Sequence, residues 1–289
     1  MIYLNNKLVP ENKALISVFD HGFLYGDGIY ETLRIYKGVI FKLEEHVHRL
    51  FRSAEMIGLK IPKSAKEITK AVYKTVKSNR QSEAVVRITI SRGTGPLGLD
   101  PSLCTIPTFV IMSHAFRNYP AKYYDKGVPV SIVNTRRNYG PALDPRIKSL
   151  NFLNNVLAKI EAKGNASHEA LMMNYQGYVA EGTVSNVFFI NRNGVLCTPG
   201  LKVGILDGIT RSIILNIAGE LKIKTKEGCF RRNDLYNAEE VFLTNTSMEV
   251  MPVTCVDDVR IGRKAGNLTG LIHIKYKEKV AEYIGDHKS

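Results

Sequence analysis

Two residues of this 289-residue chain are of the right type to do chemistry together. Lys148 lies in Arg146-Ile147-Lys148-Ser149-Leu150-Asn151, where an apolar-periodic stretch begins, and Glu181 opens Glu181-Gly182-Thr183-Val184-Ser185-Asn186. A lysine amine that opens a helix can form a Schiff base with an aldehyde. A carboxylate at a strand–turn–strand junction can hold a pyridine nitrogen protonated, which makes the ring an electron sink. These are the two handles that a pyridoxal phosphate (PLP) site needs most. Either residue alone reads more readily as a solvated surface charge, so the rest of the chain must decide.

Further candidates concern anions. Gly208-Ile209-Thr210-Arg211 begins a helix with exposed backbone N–H groups and a hydroxyl, a phosphate cradle assisted by the helix dipole. Leu243-Thr244-Asn245-Thr246-Ser247 ends a strand in small polar groups that can add donors or simply turn. Arg49 is a possible phosphate partner, the alternative being an i,i+4 pair with Glu45 on a solvated face. Other motifs drop out. Gly93-Thr94-Gly95-Pro96-Leu97-Gly98 fits a dinucleotide fingerprint only by letter, because Pro96, Pro101 and Pro107 forbid the helix it must open. His46 and His48, two apart on a helix, face different ways, and no carboxylate or cysteine cluster completes a metal site. No nucleophilic triad signature is present.

The elements that must position these groups follow from periodicity. Ile29–Tyr36 alternates in period two and turns at Lys37-Gly38 into Val39–Phe41, a hairpin signal. Val47, Leu50, Phe51, Ala54 and Ile57 recur at three and four, predicting a helix from Leu43 that stops at Gly58. A second helix is expected over Ala65–Val76, then strands at Glu83–Ser91 and Thr108–Ser113. The polar stretch Arg117–Gly127 reads as a linker. Beyond it a strand at Val128–Asn134 precedes a helix that begins at Lys148 and carries Leu150, Leu153, Val156, Leu157 and Ile160 on one face. Short strands, a helix over Ile209–Leu221 and a helix from Leu268 close the chain. Without regular βαβ alternation the fold class is α+β. The expected division is a small domain over 1–116, a linker over 117–127 and a larger domain over 128–289.

Composition narrows the function classes. No apolar run reaches the roughly 20 residues that span a bilayer, and the amino terminus lacks the order of a signal peptide. Cys104, Cys197, Cys229 and Cys255 are dispersed, which suits buried thiols in a reducing cytoplasm better than disulfides or zinc. The net charge of +13 is spread along the chain and interleaved with acids, so it favours small anionic ligands over nucleic acid.

Taken together, the motifs resemble the class IV (fold type IV) PLP enzymes. Phe19-Asp20-His21-Gly22-Phe23-Leu24-Tyr25-Gly26-Asp27-Gly28 with Tyr30-Glu31, Glu45-His46 and Arg49-Leu50 looks like that family's amino-terminal signature. Ile147–Asn151, Glu181-Gly182-Thr183, Ser185-Asn186, Leu206–Arg211 and Glu249–Val253 continue it in order over nearly the whole chain. The resemblance implies a two-domain D-amino acid aminotransferase-like fold with a PLP-binding carboxy-terminal domain. It implies that Lys148 forms the Schiff base and moves the proton, and that Glu181 pairs with the ring nitrogen. Arg49, Gly208, Ile209, Thr210 and Thr246 would hold the phosphate, with Leu206 on the ring. It also implies a homodimer with active sites between the domains, bordered by the partner subunit.

The family contains several activities. Arg34 and Arg87 match arginines that branched-chain aminotransferases keep near the substrate, and Tyr25 and Tyr30 would line an apolar pocket. Thr32, Asn245 and Phe152 depart from that subgroup, and Thr32 and Asn245 are similar to aminodeoxychorismate lyases. Leu97 and Leu99 stand where D-amino acid aminotransferases keep an arginine and a histidine, and Arg34 speaks against an (R)-amine transaminase. The expected activity is amino transfer between a branched-chain L-amino acid and 2-oxoglutarate, with Tyr25, Tyr30, Thr32, Arg34, Arg87, Asn245, Thr246 and Ser247 around the substrate. The alternatives are the lyase, releasing pyruvate and 4-aminobenzoate, and a D-amino acid or broad-specificity transaminase.

Overall fold

The structure is a computed structural model and describes residues 1–164 and 167–287. The chain forms two compact units, Met1–Arg117 with Ile147–Phe152 and the residues from Tyr283, and Asn118–Arg146 with Leu153–Glu282. Both mix helix and sheet, as expected. The division is discontinuous, unlike the expected one. The segment carrying Lys148 belongs to the first unit, and the expected linker contains a short helix of the second.

The first unit contains strands β1 (Ile2–Leu4) and β2 (Lys7–Val9), helix α1 (His21–Tyr25), strands β3 (Gly28–Tyr36) and β4 (Val39–Ile40), helices α2 (Leu43–Met56) and α3 (Ala65–Ser78), and strands β5 (Ala84–Ser91) and β6 (Thr108–Ala115). Its strands form one antiparallel sheet in the order β2-β1-β6-β5-β3-β4. The predicted hairpin is present: Lys37 and Gly38 both take positive φ, the geometry of a two-residue turn that matches strand twist. Helix α2 stops where Gly58, also at positive φ, lets the Leu59 N–H return to the Ala54 carbonyl at 2.8 Å. Ser64 and Glu67 form a capping box at the start of α3.

Alternation along β3 sends Ile29, Leu33 and Ile35 into a core with Val47, Leu50, Ile68, Val72, Val86, Ile88 and Ile111. Glu31 falls on that same face and is fully buried. Its carboxylate accepts from Arg49 Nε at 2.7 Å and Nη2 at 2.8 Å, and lies 2.7 Å from His46 Nδ1. Arg49 and His46 are three apart on α2, so both reach the same point of the strand. Arg49 faces the core rather than a solvated surface, and Lys42 pairs with Glu45. Burial alone would raise the Glu31 pKa, but the Arg49 guanidinium and His46 hold it well below the usual carboxylate range. Burial lowers that of His46, opposed by Glu31 and reinforced by Arg49 and Lys148.

The second unit contains α4 (Ala121–Lys126), β7 (Val128–Ile132), α5 (Leu153–Gly164), β8 (Glu169–Met173), β9 (Val179–Gly182), β10 (Asn186–Ile190), β11 (Leu196–Pro199), α6 (Ile209–Glu220), β12 (Thr225–Gly228), α7 (Arg232–Tyr236), β13 (Glu240–Asn245), β14 (Glu249–Val256), β15 (Val259–Arg260) and most of α8 (Asn267–His287). The strands form a mixed sheet in the order β12-β11-β10-β13-β14-β7-β8-β9, with β15 paired to β14. Val187, Phe189, Leu243, Met251 and Val253 fill its core. Cys197 is buried as expected, but Cys104 and Cys255 are half-buried and Cys229 is exposed, and all four are free. Among the described residues no helix is long and apolar enough to cross a membrane.

Lys148 does not open a helix. The backbone of Lys148–Leu150 instead pairs with β3: the Tyr30 N–H donates to the Lys148 carbonyl at 2.9 Å, and the Leu150 N–H to the Gly28 carbonyl at 2.8 Å. Those bonds require extended chain, so α5 starts only at Leu153. Its predicted apolar face is not buried either: Leu153, Val156, Leu157 and Ile160 are all exposed.

Two outcomes follow from this packing. Glu31→Gln leaves Arg49 buried without its counter-charge and is expected to cost about 3–5 kcal/mol in urea unfolding at neutral pH. Glu31, with its lowered folded pKa, contributes stability present above the unfolded value of about 4.3 and lost as pH falls through the folded one. The depressed His46 acts in the same direction below about 6.5, where the unfolded chain already takes up the proton. Below about pH 4.3, where Glu31 itself takes up a proton on unfolding, the wild type should lose stability on acidification more steeply than Glu31→Gln; equal slopes there would contradict the assignment. A Cβ at Gly28 would lie 2.6 Å from the Ile90 carbonyl oxygen and 2.6 Å from Leu150 Cδ1. Gly28→Ala should cost about 1–3 kcal/mol and speed tryptic cleavage after Lys148; an unchanged digestion rate would mean the segment is held otherwise.

Candidate active site

In the first unit the chemistry gathers around Lys148. Its Nζ lies 3.4 Å from the Tyr30 hydroxyl and 4.4 Å from the centre of that ring, while its backbone N–H donates to Ser53 Oγ at 3.2 Å. Tyr30 is buried, packed edge-on by Phe152 at 5.5 Å and covered by the Arg87 guanidinium at 3.8 Å. Register explains the grouping. Tyr30, Thr32 and Arg34 project from the face of β3 opposite the core, and Thr89, Arg87 and Val85 stand directly across from them on β5. Val110 and Met112, across from Thr89 and Arg87 on β6, continue the same face, and sequence reasoning missed both.

Arg34 ends differently from Arg87. Its guanidinium stacks 3.2 Å from the centre of the Phe116 ring and pairs with Glu83 at 2.9 Å. Tyr25, half-buried, accepts from the Gly98 N–H at 3.2 Å and packs edge-on against His21. That loop is tied down by Asp20, which caps α1 at Gly22 and accepts from Ser91 Oγ and Thr108 Oγ1. The Asp20-His21-Gly22 part of the signature is therefore structural: it anchors the loop that carries Leu97 and Leu99, both exposed. Arg49 commits two of its donors to Glu31.

In the second unit Glu181 lies at the end of β9 and is buried. One of its oxygens accepts from Arg137 Nε at 2.8 Å; the other accepts from the Leu206 N–H at 3.0 Å and from Asn186 Nδ2 at 3.2 Å. Asn186 also donates to the Leu206 carbonyl at 3.1 Å, so Leu206 is fixed at both its backbone polar groups. Arg137 was not anticipated, since nothing local links it to a carboxylate 44 positions on. The turn after Glu181 is braced by buried Glu169, which accepts from Thr183 Oγ1 at 2.5 Å and Ser185 Oγ at 3.2 Å.

Helix α6 starts at Ile209 with Gly208 as its N-cap and no side chain capping it. A Cβ at Gly208 would sit 2.0 Å from Asn186 Oδ1, so only glycine lets the helix start approach the Glu181 cluster. Thr210 is buried on the first turn. Thr244, directly across from Asn186 in the sheet, has a buried hydroxyl with no hydrogen-bond partner among the described residues. Asn245 folds its side chain back to accept from the Ser247 and Met248 N–H groups and donates to the Val184 carbonyl at 3.1 Å. Thr246, within that turn, is half-buried. An uncapped helix start, a close-approach glycine, an orphaned hydroxyl and a carboxylate held by three donors with acceptor capacity to spare form a donor and acceptor set that fits a phosphorylated pyridine. Among the described residues no cluster of histidine, cysteine and carboxylate could hold a metal.

Comparison with known proteins agrees with this geometry. Residues 28–256 match the family described as amino-transferase class IV. The chain is 41% identical to the "Putative branched-chain-amino-acid aminotransferase" of Methanocaldococcus jannaschii, over 96% of its own length and 95% of the relative's. It is 34% identical to the aminodeoxychorismate lyase of Bacillus subtilis, over 98% and 96%. Its fold superposes with a TM-score of 0.93 on the branched-chain amino acid aminotransferase of T.th. with pyridoxamine 5′-phosphate, at 31% identity, covering 98% of this chain and 96% of that one. The chain belongs to the amino-transferase class IV family and is an aminotransferase of fold type IV that uses PLP.

Proposed function

We propose that the enzyme moves an amino group between a branched-chain or similarly apolar L-amino acid and 2-oxoglutarate. The observation that carries this reading is the stack of Arg87 on Tyr30 beside Lys148. A guanidinium fork able to pair a carboxylate and an apolar ring beside the lysine amine support that reading. The M. jannaschii relative supports the same substrate class.

Bound PLP supplies the sink for the electron pair left when the substrate Cα loses its proton. Lys148 Nζ would hold the cofactor through its aldehyde and, when free, would accept the substrate Cα proton and donate it back. The Tyr30 hydroxyl, 3.4 Å from Nζ, orients that amine between the two positions. Glu181 holds the ring nitrogen, and Arg137, Asn186 and the Leu206 N–H hold Glu181. Gly208, Ile209 and Thr210 at the start of α6, with Thr246 and Arg49, are assigned to the phosphate, and Leu206 to the ring face. Tyr25, Thr32, Arg34, Asn245 and Ser247 are assigned to the substrate surroundings.

A second reading is favoured by Asn245 and Thr32, whose resemblance is to the lyases, and by the B. subtilis relative. One experiment separates the two. L-leucine should convert the cofactor absorption of the purified enzyme to the pyridoxamine form; pyruvate and 4-aminobenzoate from aminodeoxychorismate, with L-leucine inert, would reverse the assignment. Lys148→Ala should lose both the cofactor band and turnover. Arg87→Ala should raise KM for L-leucine about 10- to 100-fold, the loss of one charge-assisted pair; an unchanged KM removes Arg87 from the substrate. The exposed row Leu153, Val156, Leu157 and Ile160 on α5 supports a homodimer. Ile160→Asp is expected to shift the mass measured by light scattering from dimer to monomer, and an undisturbed dimer would place the interface elsewhere.

A further inference from the structure

Arg136, Arg231 and Arg232 line one cavity of the second unit, of about 300 Å³, with Met173, Gly177 and Asn233 completing its wall. Among the described residues none of the three is in an ion pair, whereas Arg34, Arg49, Arg92, Arg137, Arg146 and Arg211 each are. The neighbouring carboxylate of Asp234 is bound to the Arg231 backbone N–H at 2.6 Å. Two of the guanidinium groups are steadied by soft neighbours: Arg231 lies 5.0 Å from the centre of the Tyr178 ring, and Arg232 Nη2 lies 3.9 Å from Met173 Sδ. All three arginines are exposed, and three cations gathered on one concavity raise the local concentration of anions there. Planar guanidinium forks pair oxyanions in two-point fashion. The volume suits a small molecule and not a polymer.

We propose that this cavity binds a small, multiply charged oxyanion, a phosphate or a dicarboxylate. The site is also wired to the cofactor carboxylate. Arg136 precedes Arg137, whose Nε donates to Glu181 and whose N–H donates to the Met173 carbonyl at 2.9 Å. An anion that draws Arg136 and rests on Met173 therefore acts on both anchors of Arg137. This coupling rests on Glu181 being the partner of the ring nitrogen; the binding itself does not.

The test uses the PLP-loaded enzyme, so that the phosphate cradle is filled, titrated calorimetrically with inorganic phosphate and separately with succinate at constant ionic strength. Saturable binding of at least one anion, one per chain, is expected. Arg231→Ala/Arg232→Ala should weaken it at least tenfold and leave the cofactor band and turnover in place. Arg136→Ala, outside α7, repeats the test without touching that helix and should weaken binding in the same way. Phosphate binding alone assigns a phosphorylated ligand, and succinate binding alone a dicarboxylate. No saturable binding of either, or undiminished affinity in both variants, overturns the proposal.

Discussion

Two backbone hydrogen bonds, from the Tyr30 N–H to the Lys148 carbonyl and from the Leu150 N–H to the Gly28 carbonyl, decide where Lys148 stands. A lysine side chain has four rotatable bonds and several staggered positions at each, so its amine is placed only as well as its backbone. Pairing with β3 gives that backbone the rigidity of a sheet. It also puts Nζ against the hydroxyl of Tyr30, the residue next to Glu31 on the strand. The arrangement demands glycine at position 28, where any Cβ would strike both the neighbouring strand and Leu150.

The same strand carries the strongest buried electrostatics of the first unit. Glu31, Arg49 and His46 neutralise and hydrogen-bond one another inside an otherwise apolar layer. A triad of this kind adds little net stability compared with apolar packing. It leaves α2 one orientation against β3, because a rotated helix would strand a charge. Odd positions of β3 thus lock the scaffold and even positions face the chemistry, an economy that follows from the period of two.

The second unit solves a different problem, holding a carboxylate and an uncapped helix start close together without a clash. Asn186 is the hinge of that solution. Its amide nitrogen touches Glu181 and the Leu206 carbonyl, and its oxygen occupies the space a side chain at position 208 would need. Arg137 secures Glu181 from the other side. The cavity that its neighbour Arg136 shares with Arg231 and Arg232 gives the +13 charge of the chain a local consequence that its even spread conceals.

Local pattern determined much of this protein. The period of two from Ile29, the three-and-four spacing ending at Gly58, the turn at Lys37-Gly38 and the helix from Ile209 are all decided by neighbours in the chain, and the structure holds them as read. The family signature marked Lys148 and Glu181, because both sit in motifs contiguous in sequence. Contacts across long separations were not legible. The helix expected at Lys148 starts only at Leu153 because β3, 118 positions earlier, offers the preceding residues better backbone partners than a helix would. Arg49 was read as a solvated pair or a phosphate ligand; its burial against Glu31 needed the sheet and the helix to be packed first. The apolar face of α5 is legible in the sequence, but periodicity reports that a face is apolar and not what covers it. Sequence alone determined most of the elements and marked Lys148 and Glu181 as candidates; tertiary structure decided which partners hold them, because hydrogen bonds and charges are satisfied in space, by whichever residue the fold brings within about 3 Å.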